Sequence, residues 1–250
     1  MQISIIIPTY KESSRLPRTL KAIYPVLSLH FNEFEIIVVD DLSPDGTGKI
    51  VQEMQEQMPC LQLITQPKRL GKGAAIRRGC LMAKGDLVLF MDADHATPIN
   101  ELFQFVRVQK EQQCDVVVGV RTYQENESKW RRILGMIAQI MAHLLVFERA
   151  VFDSQCGFKM FTLAACKRIF PLCRVNTGMI DVEIFHIMHF RNIKCVYQPV
   201  HWVNDVNSRI NILQCMVKDT IDLFRIRRRR LFGVYSKPIA DADQPWSGTS

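Results

Sequence analysis

Four short runs of β-branched and other apolar residues recur along the first part of the chain, and they constrain the fold more than any other feature. They lie at residues 3–7, 34–39, 61–65 and 87–91. Each is too short and too continuous for an amphipathic helix, and each is bounded by turn residues, as buried strands are. Between them the sequence reads as helix. Ser13-Ser14 are expected to cap a helix over 16–29 with Pro17 in its first turn. Thr47, after the Asp45-Gly46 turn, is expected to cap a second helix to about residue 57. GKGAAIRRGCLMA opens on glycine and runs to about Ala83, and a helix over 99–113 and a strand over 115–120 extend the series. Strand and helix alternating over short links predict an α/β fold with a mostly parallel sheet and helices on both faces.

In such a sheet ligands bind beyond the carboxyl ends of the strands. Two of the four runs end there on carboxylate pairs, Asp40-Asp41 and the Asp92-Ala93-Asp94 triplet of LVLFMDADHATP. The first run ends on PTYKE at the same rim. Paired carboxylates with substrate phosphates make the usual Mg²⁺ or Mn²⁺ site. A solvated turn is the competing reading of any single Asp-x-Asp. Two pairs and PTYKE on one rim favour the metal reading of Asp92 and Asp94.

With 250 residues and 48% apolar content, the chain has material for one large domain and an appendage. The formal charge of +7 points to an anionic partner: nucleotide, lipid phosphate or nucleic acid. Eight cysteines without a C-x-x-C pair suggest neither zinc nor a redox dithiol, and fit reduced core thiols. No charge-free apolar run is long enough to span a membrane, and no basic segment precedes an apolar one at the start, so neither a span nor a signal peptide is expected.

The stretches IIIPTYKE, EIIVVDDLSPDGT, LGKGAAIRRG and LVLFMDADHATP, followed by VVVGVR, DSQCGFKMFT and GMIDVEIFH, stand in an order and spacing that resembles glycosyltransferase family 2, inverting enzymes of the GT-A fold. The likeness covers most of residues 1–210. Within the family, DADHATP and DSQCGFK are most similar to the polyprenyl-phosphate glucosyltransferases, the dolichyl-phosphate β-glucosyltransferases among them, with the dolichyl-phosphate mannosyltransferases next. The resemblance implies that Pro8, Thr9, Tyr10 and Glu12 line the base and ribose pocket. It implies that Asp41 accepts from the base N–H while Asp40 holds its loop, and that Lys72 approaches the base or diphosphate beside Asp92, Ala93 and Asp94. Arg69, Arg77 and Arg78 are expected at the surface or behind the site. Some mannosyltransferase relatives carry a glutamine two residues after the DAD; here Ala96 stands there, which leaves the metal's coordination open.

On the acceptor side, Arg121 closes the strand DVVVGVR, and Arg131 and Arg132 begin the next segment. An arginine fork suits a phosphate monoester. The resemblance places Asp153 to Lys159 as the acceptor loop, with Gly157 allowing close approach, Lys159 on the acceptor phosphate and Asp153 orienting acceptor or sugar. Ser208-Arg209 resembles the end of a loop that closes on the substrates. Asp181 and Glu183 read as acids at a helix start. The implied reaction is inverting transfer of a sugar from a nucleotide donor, UDP-glucose or alternatively GDP-mannose, to a polyprenyl phosphate.

KWRRILGMIAQIMAHLLVF, residues 129–147, reads as an interfacial helix or a buried core helix. Residues 210–224 form a second amphipathic segment, and five arginines follow at 225 and 227–230. Such a run attracts anionic headgroups at about 1 kcal/mol each. It lacks the aromatic interleaving of a single-strand nucleic-acid binder, and no nucleic-acid partner is expected. The expected organisation is a GT-A domain over 1–209 with an interfacial helix over 129–149 inside it, a basic membrane-association segment over 210–236, and a disordered tail over 237–250. The expected location is peripheral, on the cytoplasmic face of a membrane with anionic lipids. An oligomer or a separate membrane-protein partner stays open, as does a catalytically silent relative that only docks on membranes.

Overall fold

The computed structural model describes residues 1–121, 155–203 and 212–236. Its described strands form one seven-stranded sheet in the order β3-β2-β1-β4-β6-β5-β7. The strands are β1 (Ile3–Thr9), β2 (Phe34–Asp40), β3 (Leu61–Thr65), β4 (Leu87–Met91), β5 (Val116–Arg121), β6 (Phe158–Thr162) and β7 (Cys195–Val200). β1 to β4 are parallel neighbours, and β5 pairs parallel with β7. β6 runs antiparallel between β4 and β5. The parallel α/β sheet expected from the alternation is therefore present, with two strands, β6 and β7, that the periodicity did not resolve.

Alternation along the strands sends side chains into two cores, one on each face. Ile3, Ile5 and Ile7 pack with Ile36 and Val38 under α1 (Leu16–His30), α2 (Thr47–Gln55) and α4 (Glu101–Gln112). Ile6, Ile37, Val39 and Phe90 pack under α3 (Lys72–Met82), α5 (Leu163–Ile169) and α6 (Ile180–Phe190). Every residue of β1 and β4 is buried, as central strands of a two-faced parallel sheet require. Leu223, Ile226 and Tyr235 bring the last helix, α7 (Ile212–Leu231), and the turn after it into this second core. The inner face of the basic segment thus belongs to the folded body.

Two helix starts differ from expectation. Arg15, not a serine, occupies the position before α1, with no side-chain cap. The Ser13 N–H goes instead to Asp45 Oδ2 at 3.1 Å. Thr47 lies inside α2, after Gly46 in the left-handed region. Its hydroxyl donates to Asp45 Oδ1 at 2.6 Å and accepts the Glu12 N–H at 3.0 Å. Asp45 thereby ties the loop after β1 to the loop after β2. Burial costs its carboxylate a little, and the hydrogen bonds from Thr47 and Ser13 hold its pKa down at about 2.

Candidate active site

The register carries Thr9 of β1 level with Asp40 of β2, so both chains leave the sheet together. The loops after β1, β2 and β4 each hold one non-glycine residue at positive φ: Lys11, Leu42 and His95. Such backbone is costly by about 1–3 kcal/mol and persists where surroundings over-determine it. At His95 the cause is visible. Its Nε2 accepts the Ile99 N–H at 3.1 Å, closing the DADHA turn. Burial lowers the pKa of His95 against the pull of Asp94, which suits a ring nitrogen that must stay unprotonated.

Beyond these strand ends lies a cavity of about 300 Å³ lined by Pro8, Thr9, Tyr10, Glu12, Asp41, Lys72, Asp92, Ala93 and Asp94, together with Arg15 and Ala75. The structure thus gathers every residue predicted for the donor side except Asp40. That carboxylate is buried behind the rim, where it accepts from Thr9 Oγ1 at 3.2 Å and from the Ser43 N–H at 2.9 Å. It holds the loop, as its propensity suggested. Asp41 is also buried, and its two oxygens accept the N–H groups of Leu70 (2.7 Å) and Gly71 (2.8 Å). It positions the GKG turn while lining the cavity, and each oxygen retains capacity for a second hydrogen bond.

Several contacts were not legible in the sequence. Arg15 grips Glu12 with Nε on Oε2 and a terminal nitrogen on Oε1, both at 2.7 Å. Burial raises the Glu12 pKa even against this fork, and Asp94 and Asp92 push the same way. Arg69 lies over the Tyr10 ring, its guanidinium carbon 3.9 Å from the centroid, so one face of that ring is covered. Arg77 reaches the Cys173 carbonyl and Asn176 Oδ1, behind the site. Thr19 Oγ1 donates to the Ala93 carbonyl at 2.6 Å and fixes the middle of the triplet.

Lys72 Nζ sits 2.6 Å from Asp92 Oδ1, both side chains a little over one third exposed. Burial alone would lower the lysine's pKa, but the charge of Asp92, with Asp181 and Asp94 behind it, raises it on balance. A cation is therefore already held on the carboxylate pair. Asp94 Oδ1 accepts the Ala96 N–H at 3.1 Å, and the residue lines the cavity. These all-oxygen donors fit a hard divalent ion. Among the described residues no cluster of three or more His, Cys, Asp or Glu could hold a metal, so within them the carboxylate pair alone offers charged ligands at this rim.

Asp92 is seated by Gly157, the residue just before the antiparallel strand. Its N–H donates to the Gly157 carbonyl at 3.2 Å, and a Cβ added to Gly157 would lie 2.0 Å from Asp92 Oδ2. Lys159, expected on the acceptor phosphate, is placed otherwise. It is fully buried, with Nζ 2.6 Å from the Cys156 carbonyl and 2.7 Å from Asp181 Oδ1, between the rings of Phe90 and Phe185. Its ammonium neutralises Asp181 inside the core and does not face the rim. Asp181 and Glu183 lie in the first turn of α6, at a helix start as expected, with both carboxylates turned to partners in the core. Buried Glu183 accepts the N–H groups of Arg174 and Val175, the Tyr235 hydroxyl (2.8 Å) and Arg229 (3.3 Å).

Arg121 stands at the carboxyl end of β5 as expected, level with Val200 of β7. Its guanidinium carbon lies 5.4 Å from the ring centroid of Trp202. Arg131, Arg132, Asp153, Ser208 and Arg209 fall outside the described residues, as do segment 129–149 and the tail 237–250. No helix among the described residues is long and apolar enough to cross a membrane.

Known proteins share both this architecture and this sequence. The chain aligns with glucosyl-3-phosphoglycerate synthase of Mycobacterium tuberculosis, solved with Mn²⁺ and UDP-glucose, at TM-score 0.68 and 17% identity, covering 90% of this chain and 78% of that one. Mannosyl-3-phosphoglycerate synthase of Rubrobacter xylanophilus aligns at TM-score 0.62 and 15% identity, over 100% and 80%. At such identities the likeness establishes the fold, that of GT-A glycosyltransferases. In sequence, the chain is 38% identical over 240 residues to a dolichyl-phosphate beta-glucosyltransferase of Trichomonas vaginalis, covering 90% of this chain and 72% of that protein. It is 30% identical over 250 residues to the human dolichyl-phosphate beta-glucosyltransferase, covering 94% and 77%. The family profile for Glycosyl transferase family 2 matches residues 4–170, the span that builds the rim and its carboxylates, and the chain is therefore a glycosyltransferase belonging to family 2.

Proposed function

We propose that this enzyme transfers glucose from UDP-glucose to a polyprenyl phosphate of the dolichyl type, giving a β-linked lipid-phosphate sugar at the cytoplasmic face of a membrane. The observation that carries this reading is the Asp92-Ala93-Asp94 triplet, which borders a cavity of nucleotide size together with Pro8, Tyr10, Asp41 and Lys72. The names of the relatives supply the acceptor and the sugar.

Asp92 and Asp94 would hold Mg²⁺ or Mn²⁺. When bound, such an ion offsets charge on the departing diphosphate. Lys72, already on Asp92 at 2.6 Å, is within a side-chain swing of the same phosphates. Pro8, Thr9 and Tyr10 shape the base and ribose end, and Glu12, clamped by Arg15, borders it. The acceptor phosphate goes to Arg121, with Arg131, Arg132, Ser208 and Arg209 as further candidates. Asp153 orients acceptor or sugar. A phosphate monoester with second pKa near ~6 is already ionised at neutral pH, so its oxygen needs alignment more than a base. One in-line displacement inverts the anomeric centre.

The lipid tail makes membrane contact necessary, because moving each CH₂ to water costs about 0.8 kcal/mol. α7 supports a peripheral contact: Phe224, Leu231 and Phe232 are 56, 76 and 74% exposed, beside the exposed Arg225, Arg227 and Arg228. The test is a radiolabelled panel of nucleotide sugars with polyprenyl phosphate in anionic vesicles. Glucose transfer from UDP-glucose into lipid is expected. Transfer from GDP-mannose alone would replace the donor assignment, and no transfer from any donor would overturn the reading.

A further inference from the structure

The carboxylate pair at the end of β4 borders two spaces, and they belong to opposite halves of the sheet. The larger is the nucleotide cavity, walled by the loops after β1 and β2 and by α3. The smaller, of about 10 Å³, lies against Met91, Asp92, Asp94, Gly157 and Trp202. It has room for about one water molecule, so it is a seam closed against the carboxylates rather than a ligand pocket. The strand order puts β1 and β2 on one side of β4, and β6, β5 and β7 on the other.

Trp202 is placed on that second side by the register. Arg121 and Val200 are partners at the ends of β5 and β7, and Trp202 follows two residues later. Its backbone is pinned on both flanks. The His201 N–H donates to Glu101 Oε1 at 3.2 Å, and the Val203 N–H to the Ala96 carbonyl at 2.8 Å. The backbone that carries the indole is thus fastened to the DADHA turn and to the start of α4. Its ring centroid lies 5.4 Å from the Arg121 guanidinium carbon, inside the range of a cation–π contact.

The chemistry gives this placement a direction. Inversion needs nucleophile and leaving group in line on opposite sides of the anomeric carbon. With the diphosphate in the β1–β2 half, the acceptor oxygen arrives from the β5–β7 half, where Arg121 and Trp202 stand. A guanidinium against an aromatic face loses rotational freedom, so the orientation of its fork is set in advance. We propose that Trp202 is a positioning residue for the acceptor: it walls the acceptor side of the carboxylate pair and holds Arg121 ready for the acceptor phosphate. The inference rests on the proposed acceptor role of Arg121.

The test is steady-state transfer from UDP-glucose to a short-chain polyprenyl phosphate by the full chain, in wild type, Trp202→Phe and Trp202→Leu. Leucine should raise the acceptor KM about tenfold and leave the UDP-glucose KM within about twofold; phenylalanine, which keeps a ring face, should stay within about threefold of wild type in both. In an Arg121→Lys background the leucine change should add little, since Trp202 acts through Arg121. If Trp202→Leu loses its melting transition, Trp202→His is read in its place and the same split is required. A raised donor KM with the acceptor KM unmoved, equal losses in the phenylalanine and leucine variants, or full additivity with Arg121→Lys would each overturn the proposal. Absence of transfer by the wild type would instead remove the proposed function, and this inference with it.

Discussion

The two halves of the sheet use buried charge in opposite ways. On the β1–β4 half, Asp40, Asp41 and Asp45 spend their oxygens on neighbouring N–H and hydroxyl groups, which fixes the loops that wall the cavity. Backbone N–H and hydroxyl dipoles hold these carboxylates in place. On the β6–β7 half, Lys159 is matched by Asp181, and Glu183 by Arg229 and Tyr235, inside the second core. A loop carboxylate at a strand end organises a binding surface. A buried ion pair fixes how elements dock, at a desolvation cost that only a partner recovers. The β1–β4 rim is built on carboxylates, and the β5–β7 rim carries the Arg121 guanidinium beside the Trp202 ring.

Breaking one partner on each side separates these uses. Lys159→Met should be the most damaging, because it strands the Asp181 carboxylate in the core, at about 3–5 kcal/mol. Urea unfolding reads this, and adding Asp181→Leu should restore much of the loss. An acceptor-binding lysine would instead raise the acceptor KM with stability intact. Asp94→Asn should leave stability near wild type yet lower transfer by two or more orders of magnitude, about 3 kcal/mol of transition-state stabilisation. Full activity after EDTA treatment would contradict the metal assignment behind it.

Gly157→Ala sharpens the comparison where the halves meet. The added methyl has no space beside Asp92, while the backbone there needs no positive φ. Mn²⁺ affinity, followed by paramagnetic resonance or calorimetry, should fall by roughly tenfold, about 1.4 kcal/mol, with the melting temperature little changed. Unchanged Mn²⁺ affinity would show that Asp92 has freedom this geometry denies. The smallest effect is expected outside both halves. Arg228→Gln should weaken sedimentation with anionic vesicles by about 1 kcal/mol and spare activity on a water-soluble prenyl phosphate. Arg229 is excluded from that test because it holds Glu183. If Arg228→Gln sediments as wild type at physiological salt, this face of α7 is not the contact.

What the amino-acid sequence determined by itself is what depends on short range. Apolar runs such as ISIII and LVLFM, cut off by Pro8 or by carboxylates, fixed the parallel strands and put Asp41, Asp92 and Asp94 on one rim, because hydrophobic periodicity and turn chemistry act over a few residues. Tertiary structure decided the rest. The resemblance places Phe158 and Lys159 in the acceptor loop, yet FKMFT is a central strand whose buried lysine is neutralised by Asp181, 22 residues on. That strand delivers Gly157 to Asp92. Arg15 on Glu12, Asp41 on the GKG turn and Trp202 on Arg121 likewise depend on where other elements dock. No periodicity records such contacts, since each is a balance of desolvation and pairing that exists only once the sheet has closed around it.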